Sequence, residues 1–114
     1  MLQTIPLFSF LSEEKVAALQ AATRHQIFPA QSVIVHTGDY SDGLYVVVSG
    51  RVVLAVEDED GGDYIVSTLE QNDIFGETAF SHEARCSFTV RSEQRCELLF
   101  VPKVQLLECL EHNP

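Results

Sequence analysis

Apolar and polar positions divide this chain into a helical opening, a long β-rich middle and a helical close. Leu11-Ser12-Glu13-Glu14-Lys15-Val16 has the signature of a helix start. Ser12 can cap the first turn, Glu13 and Glu14 favour the positive helix end, and Leu11 can staple onto Val16. The alanine-rich segment that follows predicts a helix to about His25. Ile5-Pro6-Leu7-Phe8 and Phe10-Leu11 form an apolar lead-in that packs on the domain. The period then shortens. Gln26–Phe28, Ser32–His36, Leu44–Val48, Arg51–Glu57 and Tyr64–Leu69 are β-favouring runs separated by turn residues. Leu44–Val48 is apolar throughout, and Ser49-Gly50 predicts a tight turn joining it to Arg51–Glu57 as a hairpin. Cys86–Arg91 and Cys96–Val101 read as a further strand pair joined by Ser92-Glu93-Gln94-Arg95. Lys103–Leu110 closes the chain as a helix with Val104, Leu107 and Leu110 on one face. About eight short strands at 8–12 residue spacing predict a mainly β fold, an antiparallel sandwich or jelly roll, flanked by an N-terminal and a C-terminal helix.

Between the β-rich runs lies the stretch that carries candidate chemistry, Phe75-Gly76-Glu77-Thr78-Ala79 through Arg85-Cys86-Ser87. An apolar residue and a glycine precede a carboxylate and then small residues able to start a helical turn. Open amides at Gly76, Thr78 and Ala79 would favour an anion, because unpaired donors and the helix dipole both point at it. Arg85 is the base on the rim; its planar fork matches phosphate oxygens two at a time. Each feature has a plainer reading: an ordinary turn, a first-turn glutamate offsetting the dipole, an arginine on a solvated face.

Composition narrows the function classes. With 114 residues the chain is long enough for one domain, and 46% apolar against 21% charged residues is ordinary for a globular protein. A net charge of −10 repels nucleic-acid phosphates and anionic membranes, so no direct nucleic-acid contact is expected from this segment. No apolar run approaches the ~18 residues of a membrane span. Cys86, Cys96 and Cys109 make no metal-like pair and read as reduced packed thiols in a cytoplasmic protein. The four histidines show no metal-ligand spacing, and Glu57–Asp60 lacks the spaced ligands of a calcium loop. A metal-dependent jelly-roll enzyme therefore ranks low, and no cofactor and no enzyme activity are expected.

With these motifs in place the chain resembles the cyclic nucleotide-binding domain, the β-roll of catabolite-activator-type transcription factors, kinase regulatory subunits and nucleotide-gated channels. Ile5-Pro6-Leu7-Phe8 with Leu11-Ser12 is similar to that family's entry segment. Ile34, Gly38-Asp39, Asp42-Gly43-Leu44-Tyr45-Val46-Val47 and Ser49-Gly50 are similar to its most recognisable hairpin. Phe75-Gly76-Glu77 is similar to the start of its phosphate-binding cassette, and Leu98–Pro102 with the following helix to its exit. The resemblance covers nearly all of residues 1–114. It implies a regulatory module that binds a cyclic nucleotide, cAMP or cGMP, and relays the change to an output domain in the same polypeptide. A homo-oligomer, and a place in the cytoplasm or on the cytoplasmic side of a membrane protein, are compatible with it. On this basis 1–114 reads as a piece of a larger protein. Glu77 would accept the ribose 2′-hydroxyl, and Cys86 and Ser87 would donate weakly to phosphate oxygens.

This chain departs from the family in three places. Gln31 stands where the family has glycine. Counted without a gap from Gly76, the family's phosphate arginine falls on Cys86, with Arg85 one residue early. A loop one residue shorter aligns Arg85 instead and puts a bulge in the strand that follows. Phe88 stands where the family has a small residue. A one-residue slip turns a strand side chain to the other face. The Arg85/Cys86 offset, Phe88 and the net charge of −10 motivate the alternative, a degenerate roll that binds no nucleotide and serves as an interaction or assembly module.

Overall fold

The computed structural model describes residues 11–76 and 85–111. The lead-in at 5–10, Glu77, Thr78 and Ala79 therefore lie outside the described residues. Helix α1, Glu13–Ala22, opens the fold, with Ser12 Oγ accepting from the Lys15 amide at 3.2 Å. Leu11 and Val16 are both buried, as the staple predicts. The helix stops three residues short of His25. Thr23 turns extended and its hydroxyl donates back to the Leu19 carbonyl at 2.8 Å. Arg24 and His25 instead begin strand β1, Arg24–Phe28. Cross-strand pairing overrides the helical tendency of these two residues, with Arg24 opposite Phe100 and His25 opposite Leu99.

Seven more strands follow: β2 Val33–Val35, β3 Gly43–Ser49, β4 Val52–Glu57, β5 Asp63–Leu69, β6 Ile74–Phe75, β7 Thr89–Ser92 and β8 Cys96–Pro102. They form two four-stranded sheets with orders β1-β8-β3-β6 and β2-β7-β4-β5, every pairing antiparallel. Helix α2, Lys103–Glu111, closes the fold. The mainly β roll with two flanking helices is thus the architecture found.

Two expected hairpins are corners instead. β3 and β4 lie in different sheets, as do β7 and β8. The short turns at Ser49-Gly50 and 93–95 carry the chain across the sandwich, so β3 does not pair with β4 nor β7 with β8, whereas β4 and β5 do form a hairpin. Thr89–Ser92 is also shorter than the strand expected from Cys86. The backbone of Cys86 pairs with the 38–40 loop rather than with a sheet strand: its amide donates to the Asp39 carbonyl at 2.8 Å and its carbonyl accepts from the Gly38 amide at 2.9 Å.

Leu44–Val48 of β3 and Leu98–Val101 of β8 are apolar runs because both their faces pack against other layers. Leu44, Val46, Leu99 and Val101 face the helices and meet Leu11, Val16, Leu19 and Leu106. Val47, Cys96 and Leu98 face the other sheet and meet Val52, Phe75 and Val90. The face of α2 differs from the one expected. Leu106 is buried, Cys109 packs beside it, and Val104 is 61% exposed. The helix docks against α1, where Lys15 Nζ donates to the Cys109 carbonyl at 3.2 Å.

Candidate functional site

β6 brings Phe75 and Gly76 against β3 at the edge of the first sheet. The Phe75 ring stacks on Tyr45 with centroids 4.8 Å apart, and Tyr45 leans on Phe100 at 5.0 Å. Gly76 has φ of +97°, and a Cβ there would sit 2.7 Å from the Gly43 carbonyl oxygen. Gly43 is equally constrained, since its own Cβ would lie 2.2 Å from the Val101 carbonyl oxygen. The two glycines let β3, β6 and β8 close together, which no residue with a side chain permits. Ser41 Oγ fastens the corner by donating to the Gly76 carbonyl at 3.3 Å.

Across the gap, Cys86, Ser87 and Phe88 lead into β7. Together with Gly76, Ser41, Tyr45 and Phe75 they border a cavity of ≈ 80 Å³ between the sheets, whose apolar wall is Val35, Leu54 and Val90. Of the predicted site residues, the fold thus brings Phe75, Gly76, Cys86 and Ser87 to one cavity. Burial pushes the Cys86 thiol above its ordinary range, the Asp39 carboxylate adds to this, and a Ser41 hydrogen bond opposes it. Burial likewise raises Tyr45, and the nearby Cys86 adds to that shift.

Arg85 points elsewhere. It bridges to Tyr40 in antiparallel fashion. Its guanidinium lies 4.1 Å from the Tyr40 ring centroid and donates to the Gly38 carbonyl at 2.9 Å and the Tyr40 hydroxyl at 2.8 Å. Adjacent residues of an extended segment face opposite ways, so with Cys86 turned inward Arg85 turns outward. Ser41, Tyr45 and Leu54, which also line the cavity, were not singled out: Tyr45 and Leu54 show only as members of β-favouring runs, and Ser41 only as a turn residue before Asp42-Gly43. Arg24 was not singled out either. It lines an adjoining cleft of ≈ 220 Å³ that shares Val35, Ser41 and Tyr45 with the cavity, and its guanidinium lies 5.0 Å from the Phe100 ring centroid.

The acidic turn that joins β4 to β5 is organised by Asp58, whose Oδ1 accepts from the amides of Asp60 at 3.0 Å and Gly62 at 2.8 Å. Among the described residues no group of three or more His, Cys, Asp or Glu is arranged to hold a metal ion. Cys86, Cys96 and Cys109 are free thiols. No described helix is long and apolar enough to cross a membrane.

A two-sheet antiparallel roll with helices against one sheet and a cavity between the sheets defines a class, the β-roll binding module. The model of the cyclic nucleotide-binding domain family matches residues 25–113, and this chain belongs to that family, whose members are regulatory binding domains rather than catalytic ones. The cAMP-activated global transcriptional regulator CRP of Pasteurella multocida is 30% identical over 88 residues, 76% of this chain and 42% of that protein. The chain thus spans less than half the length of the curated relatives of this kind that it matches. The regulatory domain of Toxoplasma gondii PKA, solved with cAMP, superposes with a TM-score of 0.85 at 25% identity, over 95% of this chain and 41% of that one. The regulatory subunit of a cAMP-independent protein kinase A from Trypanosoma brucei superposes with a TM-score of 0.86 at 23% identity, over 96% of this chain and 40% of that one. The second likeness is one of fold alone.

Proposed function

We propose that this chain is the sensory module of a longer regulatory protein, and that it binds a cyclic nucleotide, cAMP or cGMP, at the edge of the roll where Gly76 meets Cys86 and Ser87. The observation that carries the reading is the meeting of these three residues at one cavity in a chain of this family. In this reading the phosphate lies against the amides of Gly76, Thr78 and Ala79, with Cys86 and Ser87 as weak donors and Glu77 on the ribose. Arg85 stands outside the phosphate contact, held on Gly38 and Tyr40. A phosphate without an arginine lacks its strongest charge-assisted bonds, so binding is weak for such a site.

Relay to an output domain runs through β3 in this reading. Tyr45 borders the cavity, while its neighbours Leu44 and Val46 belong to the cluster that seats α1 and α2. A ligand that differs in affinity for two seatings of the helices shifts their populations.

Calorimetric titration with cyclic AMP and cyclic GMP tests this. The expected result is saturable heat with either nucleotide; no heat and no change in melting temperature at millimolar ligand removes the nucleotide reading. Arg85→Ala is expected to bind within about threefold of the parent. A loss equivalent to roughly 2–5 kcal/mol, the cost of truncating one member of a desolvated charge pair, would put Arg85 on the phosphate instead.

A second reading is favoured by the same Arg85 geometry and by Phe88 at the cavity. It holds that the roll takes no nucleotide and serves as an interaction or assembly module. The titration separates the two.

A further inference from the structure

A row of side chains crosses the first sheet and ends at the cleft beside β1. Arg24 lies opposite Phe100, Phe100 opposite Tyr45, and Tyr45 opposite Phe75. Cross-strand neighbours share a face, and Tyr45 and Phe75 pack in the cluster between the sheets. Arg24 therefore points inward, at the open rim of the sandwich. Its guanidinium lies 5.0 Å from the Phe100 ring centroid. A ring beneath the guanidinium plane holds it in place and leaves the N–H donors at its edge unspent. Asp42 lines the same ≈ 220 Å³ cleft, with Tyr40, Ser41 and Tyr45. Arg85, on the Tyr40 ring, is already committed to the Gly38 carbonyl and the Tyr40 hydroxyl. Among the described residues neither the Arg24 nor the Asp42 side chain forms a hydrogen bond or an ion pair, and the two do not pair with each other. Both act on the Tyr45 hydroxyl all the same: burial raises it most and Cys86 next, while Arg24 opposes the shift and Asp42 adds to it. An unpaired cation and an unpaired anion thus lie within electrostatic reach of one hydroxyl in one cleft.

We propose that this cleft binds a small zwitterion of amino-acid size, with its carboxylate on the Arg24 guanidinium, its ammonium on the Asp42 carboxylate and its apolar part against Val35, Tyr45 and Phe100. The planar fork of arginine matches a carboxylate two bonds at a time. A plain anion would meet Asp42 and the field of a chain with a net charge of −10, and a plain cation would meet Arg24. A zwitterion matches both charges and carries no net charge into that field. A cavity of ~150 Å³ holds benzene, so this cleft has room for about nine non-hydrogen atoms, the size of leucine. The cleft is a different place from the cavity assigned to the nucleotide. Arg24, Gln26, Tyr40, Asp42 and Phe100 line only the cleft, Gly76, Cys86 and Ser87 only the cavity, and Val35, Ser41 and Tyr45 form the wall they share.

L-Leucine is the probe, titrated into the whole chain and followed by NMR at the Arg24 Nε–H and at the rings of Tyr40 and Tyr45. Saturable shifts are expected, with a dissociation constant of about a millimolar. Isocaproate, which is leucine without the ammonium, and isoamylamine, which is leucine without the carboxylate, are each expected to bind at least about fivefold more weakly. Arg24→Gln and Asp42→Ser, read at the tyrosine rings, are expected to weaken leucine by a similar factor. Both positions are exposed, so both variants are expected to keep the amide spectrum of the folded chain. Shifts that rise linearly with leucine overturn the proposal. So does equal binding of isocaproate or isoamylamine, or a folded variant of either residue that binds leucine like the parent. Shifts centred on Gly76 and Ser87 overturn it as well, because they place leucine in the cavity. No nucleotide is present in this titration, so the nucleotide reading fails or survives separately, in the calorimetric one.

Discussion

Gln31 shows how far a single residue departs from what its neighbours ask of it. It holds a left-handed backbone with φ of 64°, at the position where the family carries glycine. Its amide donates to the Ser92 carbonyl at 2.8 Å and its side chain reaches the Glu93 carbonyl at 3.2 Å, so the turn is locked to the β7–β8 corner. A left-handed conformation costs a residue with Cβ about 1–2 kcal/mol, and glycine gives back part of that relief as chain entropy, about 0.5–1 kcal/mol. Gln31→Gly is therefore expected to stabilise the protein by about 0.5–1 kcal/mol, read as a higher urea midpoint at unchanged slope. A lower midpoint would mean that the exposed side-chain bond to Glu93 outweighs the backbone relief. Residue-level rules worked where the partner is local. The Ser12 cap and the Leu11–Val16 staple both lie within one turn, and both form. Arg85 and Cys86 were not assignable in this way, because their directions are set by pairing with Asp39 and Tyr40, more than forty residues away in sequence.

At the scale of elements, apolar runs located most strands, but adjacency in sequence identified partners for β4 and β5 and misled for β3–β4 and β7–β8. The turns at Ser49-Gly50 and at 93–95 look like hairpin turns and act as corners between sheets. A two-residue strand such as Ile74–Phe75 has too short a run to show a period, and it exists because β3 supplies its hydrogen bonds. The exit helix makes the same point energetically. Helical spacing alone allows more than one seam, and only the position of α1 and β8 selects Leu106 with Cys109 over Val104 with Leu107. Leu106→Ala is expected to cost about 2–4 kcal/mol, as for other buried leucines, whereas Val104→Ala should stay within about 0.5 kcal/mol. Equal losses in chemical denaturation would return Val104 to the packed face.

For the whole molecule, burial of titratable groups sets an alkaline limit. Burial raises the Cys86 and Cys96 thiols above their usual 9.0 and the Tyr45 hydroxyl above its usual 10.0. Each group prefers its neutral form in the fold, so above pH 9 the unfolded chain releases protons before the folded one does. The unfolded state then binds fewer protons, and stability falls with rising pH. The contribution is fully present below about pH 9 and is lost as the pH climbs through the raised folded values. The urea midpoint is expected to hold steady from pH 7 to 8.5 and to decline beyond it, less steeply in Cys86→Ala. A midpoint flat to pH 10.5 would mean that these groups ionise in the fold as freely as in the unfolded chain.

The sequence by itself determined the class of fold. Strands apolar on both faces demand layers on both sides, a capped helix and an exit helix supply one layer, and the ordered family motifs name the roll. It also determined which segment borders the cavity, since Gly76 and the run from Cys86 are local features. Tertiary structure alone decided which strands pair, which seam of α2 is buried, and which of two neighbouring residues faces the hollow. Those outcomes depend on contacts between residues far apart in the chain. A one-residue difference in such a contact reverses the face of a side chain while leaving its sequence neighbourhood unchanged. Cys86 lines the cavity and Arg85 lies on Tyr40 for that reason.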